Sequence, residues 1–174
     1  MLFQPTELIQ IILDETDKYT KLNFSHTNQT MNLYFLHMFY KEHYFEHNEK
    51  FSKNQKSKIR KLKNFHDLNQ LKDYENLTHL TFKSNFNRPI KSNILPKSLT
   101  HLTFGHDFNK HIKSNVLPEG LIHLTVEGDL ENLIGKDVLP ESLKYLKIIN
   151  YSSKYKINLN MIKRNYPELK IIKH

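Results

Sequence analysis

A 22-residue repeat constrains the fold of this chain more than any other feature of its sequence. The unit that begins at Leu95 reads LPKSLTHLTFGHDFNKHIKSNV, and LPEGLIHLTVEGDLENLIGKDV follows directly from Leu117. A further unit opens with LPESLKYLKI at Leu139, and an earlier one aligns through Leu77 without a Leu-Pro pair. Self-similarity at a period of roughly 20 to 30 residues is typical of a solenoid, whose units bury their apolar sides only against one another.

Each unit contains the pattern L-x-x-L-x-F/V/I, and the last three residues of this pattern alternate between apolar and polar. Such alternation predicts a short strand with its two apolar side chains turned inward. A proline precedes three of these strands, where its missing N–H removes no ladder hydrogen bond. We therefore expect parallel neighbouring strands joined by mostly irregular return legs. The pattern recurs at Leu77/Leu80/Phe82, Leu99/Leu102/Phe104, Leu121/Leu124/Val126 and Leu143/Leu146/Ile148, and the prolines are Pro96, Pro118 and Pro140.

The polar residues of these strands are predicted to point outward and to stack between strands about 4.8 Å apart. Three imidazoles then line one face, and a row of histidines suggests a metal site. Duplication copies surface residues whether or not they are used, and no carboxylate partner is evident, so we expect no metal and instead a face that binds a target protein. The two outward columns are His79, His101, His123 and Tyr145, and then Thr81, Thr103, Thr125 and Lys147.

An asparagine or aspartate also recurs at one position of the return leg, at Asn93, Asn115 and Asp137. These side chains are expected to satisfy backbone groups that an irregular turn leaves unpaired.

The unit that starts at Leu95 resembles the FNIP repeat, a relative of the leucine-rich repeat found in amoebae and in the giant viruses that infect them. That family has the form L-P-x-S-L-x-x-L-x-F-G-x-x-F-N-x-x-I. The other units depart from it, with Lys83 in place of Gly and Leu130 in place of Phe. The resemblance covers roughly residues 73 to 150. The matching positions are Leu95, Pro96, Ser98, Leu99, Leu102, Phe104, Gly105, Phe108, Asn109 and Ile112.

The N-terminal segment QPTELIQIILDET predicts a helix that Thr6 caps and Glu7 stabilises. Residues 1–48 resemble a divergent F-box, a helical module whose family opens L-P-x-E-L/I-x-x-x-I-L. The resemblance implies docking on a Skp-type adaptor of a cullin ubiquitin ligase, although Gln4 stands where Leu is usual and the module's tryptophan is absent. An alternative is that this segment only seals the first repeat. The implied docking residues are Pro5, Leu8, Ile9, Ile12 and Leu13.

Two further patterns lie at the end of this segment. Leu36, Phe39, Tyr40 and Tyr44 have helical spacing, which is typical of a core stripe. Residues 43–47 spell H-x-x-E-H, which on a helix would place two histidines and a glutamate as in a zinc protease. A catalytic zinc also needs a third ligand and a cleft. A repeat rod offers neither, so we do not expect a metalloprotease.

Charge raises the question of nucleic acid. The chain has 26 basic and 18 acidic residues, a net charge of +8, and part of the excess lies in SKNQKSKIRKLK. This run predicts a solvated helix face or linker, and the alternative is a nucleic-acid patch. Its cations are Lys53, Lys56, Lys58, Arg60, Lys61 and Lys63.

Absent motifs exclude several enzyme classes. Without cysteine there is no disulfide, thiolate zinc site or thiol nucleophile, and no P-loop, dinucleotide-binding or G-x-S-x-G motif is present. No signal peptide or apolar run long enough to cross a bilayer is evident, so we expect an intracellular, cytoplasmic protein, in the host cytoplasm if the chain is viral. No cofactor is expected.

We therefore predict an α+β chain that combines a helical module with a short parallel-strand solenoid. Its expected parts are a helical F-box-like module (1–48), a basic helical linker or N-terminal cap (49–72), about four FNIP repeats (73–150) and a C-terminal cap (151–174). A non-catalytic adaptor that joins a Skp-type protein to an unknown target is the leading hypothesis. The alternatives are a nucleic-acid-binding protein and a structural scaffold, for example in a virion.

Overall fold

The computed structural model of the chain describes residues 44–46, 53–127, 138–149 and 159–173. These ranges contain strands, two short α-helices and one 3-10 helix. In chain order they are β1 (Tyr44–Glu46), α1 (Lys53–Lys58), β2 (Lys61–Phe65), the 3-10 helix (Leu68–Asp73), β3 (His79–Phe82), β4 (His101–Phe104), β5 (His123–Glu127), β6 (Tyr145–Ile149), α2 (Leu159–Asn165) and β7 (Lys170–Lys173).

The strands form one parallel sheet whose spatial order is their order in the sequence, from β1 to β7. Each coil of the chain therefore lies directly on the coil before it, which is the arrangement of a solenoid. Equivalent repeat positions face each other across the strands, with His79 opposite His101 and His101 opposite His123. The predicted parallel strands are confirmed for β3 to β6, which form four successive turns of a parallel solenoid.

The inward side chains form a continuous apolar core. A column of aromatic rings begins at Phe65, whose centroid lies 6.3 Å from that of Phe82, and continues to Phe104 at a further 5.5 Å. Such aromatic pairs contribute about 0.5–1.5 kcal/mol beyond the burial of their area. Beside them runs a column of leucines, each at most 1% exposed, which consists of Leu80, Leu102, Leu124 and Leu146. The predicted inward positions are thus confirmed.

The return legs from β3 to β4 and from β4 to β5 are irregular, but hydrogen bonds pair their backbone groups at fixed points. The Leu99 N–H donates to the Pro96 carbonyl at 3.1 Å, and the next two coils close the equivalent turn at 3.0 Å. The Ser98 hydroxyl donates to the Leu77 carbonyl of the preceding coil at 2.8 Å. The L-P-x-S sequence therefore both closes a turn and ties neighbouring coils together.

The recurrent asparagines have a backbone role. Asn93 and Asn115 have φ angles of 64° and 63°, in the left-handed region that asparagine tolerates better than most other residues. Each lies in a turn, closed in the first case by the Ile94 N–H and the Lys91 carbonyl at 3.4 Å. The expected role of the side-chain amide is therefore replaced by a conformational one. Asp137 lies outside the described residues.

The helical prediction for residues 49–72 differs from the structure. Only Lys53–Lys58 is α-helical, and Lys61–Phe65 is strand β2, which is paired with β1 and β3. Leu62 and Phe65 are fully buried. The register shifts between these two residues, at Asn64 with its φ of 54°, so Phe65 rather than Asn64 turns inward. This irregularity interrupts the period-two pattern that would have identified the strand.

The end of the predicted N-terminal module is also extended rather than helical. Tyr44–Glu46 is strand β1, and Phe45 is 6% exposed. A helical stripe through Tyr44 is therefore wrong at this residue, and Glu46 does not lie on the helix that H-x-x-E-H zinc chemistry requires. The remainder of the F-box-like module, including Pro5, Leu8, Ile9, Ile12 and Leu13, lies outside the described residues.

The C-terminal cap contains a short helix, α2, in which Ile162 is 5% exposed. The Tyr166 hydroxyl donates to the Leu139 carbonyl at 2.8 Å and so ties the cap to the last Leu-Pro turn. Strand β7 then pairs with β6. None of the helices placed by the structure has the length and apolar character needed to cross a bilayer.

A substitution at Lys56 tests the packing of α1 against the 3-10 helix. Its side chain is 8% exposed, and its Nζ donates to Gln70 Oε1 at 2.8 Å and lies 3.4 Å from Asp73 Oδ2. Lys56→Ala leaves these acceptors with no ammonium, so we expect the free energy of unfolding to fall by about 1–3 kcal/mol in urea denaturation. Lys53→Ala, at an exposed position of the same helix, should change it by less than about 0.5 kcal/mol. Equal effects would contradict a structural role for Lys56.

Candidate interaction face

Two columns of outward side chains define what we call the outer face of the sheet. The first, the ring ladder, consists of His79, His101, His123 and Tyr145. The second, the threonine column, consists of Thr81, Thr103, Thr125 and Lys147. All eight side chains are half-buried, because each packs against its neighbours on adjacent strands while its outer edge meets solvent. The eight residues predicted to form a target-binding face are thus brought together.

The rings of the ladder stack face to face. The centroids of His79 and His101 are 3.9 Å apart, those of His101 and His123 are 4.2 Å apart, and those of His123 and Tyr145 are 4.4 Å apart. The planes differ by at most 10°. The parallel strand spacing imposes this arrangement, because equivalent side chains with the same rotamer repeat at the distance between strands. The result is a flat, continuous ring edge across four strands.

Threonine hydroxyls hold the first two imidazoles. Thr78 Oγ1 lies 2.9 Å from His79 Nδ1, and Thr100 Oγ1 lies 2.9 Å from His101 Nδ1. Each hydroxyl also donates to a carbonyl of the preceding coil, at 3.0 and 3.1 Å. A hydroxyl has one proton to donate, so its oxygen accepts from the ring Nδ1–H. Neutral His79 and His101 therefore carry their proton on Nδ1 and leave Nε2 as an acceptor.

His123 lacks this support. Ile122 stands where the two preceding coils have threonine, and His123 Nδ1 is buried without a hydrogen-bond partner among the described residues. An unpaired buried polar atom is costly in free energy. Within the part of the chain that the structure places, this ring is held by stacking on His101 and Tyr145, so His123 is less constrained than His101 in its tautomer.

The surroundings of the ladder oppose positive charge on it. Burial lowers the pKa of His101 below its usual value, and the neighbouring His123 and Lys61 lower it further. Burial also lowers the pKa of His123. Both shifts favour the neutral forms of His101 and His123, and acid must protonate two rings whose centroids lie 4.2 Å apart.

Acid should consequently destabilise the solenoid. As pH falls below about 6.5, the unfolded chain takes up protons on these histidines before the folded chain does. Stability that is present above this pH is then lost as pH falls toward the lower folded-state values. We expect His101→Gln to reduce the loss of urea midpoint between about pH 7.5 and 5.5 relative to wild type. Ser114→Gln, a change without a titratable group at an exposed return-leg position, should leave the loss unchanged. An equal loss of urea midpoint in wild type and in the His101 variant would contradict a contribution from His101.

The ladder is poorly arranged for a metal ion. Parallel stacked rings direct their Nε2 lone pairs side by side, whereas a tetrahedral ion needs lone pairs that converge on one point about 2.0–2.1 Å away. Within the residues that the structure places, no group of three histidine, aspartate or glutamate side chains has the geometry to hold an ion.

The cations of the basic run do not form one patch. Lys56 is buried, and Arg60 donates to the Asn76 carbonyl at 3.0 Å. Lys53 and Lys58 are exposed on α1, whereas Lys61 and Lys63 lie on the outward side of β2. The predicted patch of six cations is therefore divided between the core, the helix and the sheet.

Sequence reasoning assigned Lys61 to the basic run and did not place either Lys61 or Lys170 beside the ring ladder. Lys61 lies opposite His79 in the strand register, and Lys170 lies opposite Tyr145, with its Nζ 5.6 Å from the ring centroid. These coils are 18 and 25 residues long rather than 22. A search at a fixed period therefore misses them, although the apolar residue after each lysine, Leu62 or Ile171, offered a weak signal.

Two of three comparisons with known proteins gave a match. The family profile described as FNIP Repeat matches residues 75–107 and 108–162. A search of curated proteins gave no match. Among solved structures, the chain is similar to CroV588, described as a novel circular LRR protein, with 32% sequence identity and a TM-score of 0.45 over 75% of this chain. The present chain spans 23% of the length of that one. Since the matched repeats cover half of the chain and include β3 to β6, this chain belongs to the FNIP repeat family.

Proposed function

We propose that this chain is a non-catalytic interaction adaptor whose outer face holds a target protein. The observation that supports this proposal is the ring ladder beside the threonine column. Together they supply eight partly exposed side chains from four adjacent strands, and their solvent-facing edges take no part in the apolar core. Aromatic rings with polar atoms are enriched at the centres of protein interfaces, because they offer large rigid contact areas.

We further propose that residues 1–48 recruit a Skp-type adaptor, through Pro5, Leu8, Ile9, Ile12 and Leu13. Support comes from the F-box-like sequence of this segment and from its position before the repeats. The chain would then act as the substrate-recognition subunit of a cullin-type ubiquitin ligase. Its contribution would be effective concentration, since it would hold target lysines near a charged ubiquitin enzyme without chemistry of its own.

The adaptor part is tested with purified full chain and a purified Skp-type adaptor in isothermal titration calorimetry. We expect wild type to bind and the double variant Leu8→Asp/Ile12→Asp to lose binding, because the charges would be buried in an apolar contact. Thr103→Arg should bind the adaptor as wild type does. A point variant is needed because a deletion through Phe45 would also remove β1 from the sheet. Adaptor binding that survives the double variant would refute this docking assignment.

The target part is tested by a pair of arginine substitutions. Thr103 lies in the middle of the outer face, and Ser114 is exposed on a return leg. Immobilised Thr103→Arg should lose the cellular proteins that wild type retains, as quantified by mass spectrometry, whereas Ser114→Arg should retain them. Identical retention by the two variants would show that targets bind elsewhere.

Nucleic-acid binding is a second candidate because of the net charge of +8 and the exposed Lys53, Lys58 and Lys63. Burial of Lys56 weighs against it. Binding to duplex DNA would weaken with salt, with a log–log slope of about −0.9 for each phosphate contacted. A flat salt dependence would remove this candidate.

A further inference from the structure

We infer that the ring ladder is a binding site for an acidic, carboxylate-rich segment of a partner protein, and that binding places protons on its imidazoles. This inference rests on the proposed function, because it names the chemistry of the partner that the outer face holds. It follows from the hydrogen bonds inside the ladder, from the charges at its two ends and from the spacing between them.

The hydrogen bonds determine which ring atom meets a partner. In His79 and His101 the Nδ1–H is committed to the threonine hydroxyl below it, at 2.9 Å in both cases. Covalent geometry places Nε2 of His101 on the side of the ring away from the backbone and from Thr100, so it is the nitrogen that faces a ligand. On neutral rings this atom only accepts hydrogen bonds. It becomes a donor when it takes a proton, and a carboxylate in front of it is the group that favours this change.

Cations lie at both ends of the ladder. Lys61 precedes His79 on β2, and Lys170 follows Tyr145 on β7, where its ammonium lies over the ring. No carboxylate stands among the described residues of this column between the two lysines. Glu127 is one outward position beyond the threonine column, and Lys147 at the end of that column has the opposite charge. The ladder thus has polar ring edges with one lysine at each end of the column.

The spacing matches an extended segment of short length. Five strand-to-strand steps separate Lys61 from Lys170, which corresponds to about 24 Å at about 4.8 Å for each step. An extended chain advances about 3.3 Å for each residue, so roughly seven or eight residues cross the ladder. Acidic residues near both ends of such a segment meet the lysines, and those in the middle meet the imidazoles.

Proton uptake follows from the electrostatics of the site. His101 faces His79 on β3, His123 on β5 and the charge of Lys61 on β2, and it has no carboxylate partner in the described structure. A bound carboxylate offsets this repulsion, so solvent protons move onto Nε2 as the complex forms. By linkage, affinity must then rise as pH falls toward the histidine range. A polyphosphate chain is a less suitable ligand, because two lysines flank the ladder among the described residues and the basic run is divided by the burial of Lys56.

The experiment measures binding of a fluorescent octaglutamate peptide to the full chain by anisotropy at low salt. We expect the affinity of wild type to increase by about threefold or more between about pH 7.5 and 6.0. His101→Gln should reduce this increase, and Lys61→Glu should weaken binding by about fivefold. Calorimetry in two buffers of different ionisation enthalpy should show proton uptake on binding by wild type. Circular dichroism at each pH confirms that the variants stay folded.

Matched control variants decide whether the ladder is the site that binds octaglutamate. His111→Gln and Lys113→Glu change the same residue types on return legs and should bind as wild type does. Equal losses in these controls, no binding of octaglutamate or no proton uptake would overturn the inference. Tighter binding of an octauridine RNA through Lys61 would also overturn it, in favour of nucleic acid. A third outcome is that octaglutamate does not bind, but Thr103→Arg loses cellular targets that Ser114→Arg retains. This result would support the interaction face and refute the acidic ligand proposed for it.

Discussion

Replacing Phe104 with alanine is expected to lower the free energy of unfolding by about 3–5 kcal/mol. The Phe104 side chain is fully buried, and its ring stacks on Phe82 at 5.5 Å and on Phe108 at 4.2 Å. Truncation removes both contacts and leaves a cavity between neighbouring coils. Each coil of a solenoid is stabilised mainly by its neighbours, so the loss acts on the interface that holds the array together. Urea denaturation followed by circular dichroism measures the change.

Thr103 provides the control on the same strand. It is the outward neighbour of Phe104, and Thr103→Ala should cost less than about 1 kcal/mol because it removes no core contact. Phe104→Leu should fall between the two, since leucine refills part of the cavity. If Thr103→Ala and Phe104→Ala had equal effects, the inward and outward assignment of β4 would be wrong.

Gly105→Ala should give the second large loss of stability, about 1–3 kcal/mol. A Cβ at this position would lie 2.6 Å from Ser84 Cα and 2.7 Å from the Lys83 carbonyl oxygen, and both atoms belong to the backbone of the preceding coil. Backbone atoms cannot rotate away as a flexible side chain can, so the coils must separate. Thermal unfolding should therefore occur at a lower temperature, and the loss should be accompanied by weaker packing between β3 and β4.

Gly120 is the matched control for this prediction. A Cβ there would come no closer than 3.5 Å to the Lys97 carbonyl oxygen, which is an ordinary contact. Gly120→Ala should therefore change the free energy of unfolding by less than about 0.5 kcal/mol. A loss as large as that of Gly105→Ala would point to a general cost of replacing glycine rather than to the close approach of two coils.

The regular repeats are the part of the fold that sequence reasoning predicts well. Positions Leu102 and Phe104 were expected to face inward and Thr103 outward, and the structure agrees. A 22-residue period is strong evidence for the inward and outward positions, because strand alternation and repeat register must both hold at once. Strands β1 and β2 were not predicted, since the coils that contain them are 17 and 18 residues long and a bulge at Asn64 breaks their alternation.

The sequence predicted which residues form the candidate site but not their hydrogen bonds or the charges around them. The columns that contain His101 and Thr103 follow directly from the repeat. Three features depend on contacts across strands. They are the hydrogen bond from the His101 Nδ1–H to the Thr100 hydroxyl, the His123 Nδ1 that has no partner among the described residues, and the lysine at each end of the ladder. Burial of Lys56 likewise depends on a helix and a 3-10 helix that pack together.

The sequence by itself determined the repeat, the strand positions within it, and which side chains enter the core. Local alternation and a fixed period are sufficient for this, because inward and outward faces follow from backbone geometry. Only the tertiary structure decided which irregular coils join the sheet, how close the imidazoles lie, and which cations meet solvent. Those properties arise from contacts between residues 14 to 25 positions apart. The core packing that sets strand register controls these contacts, and no single stretch of the chain encodes it.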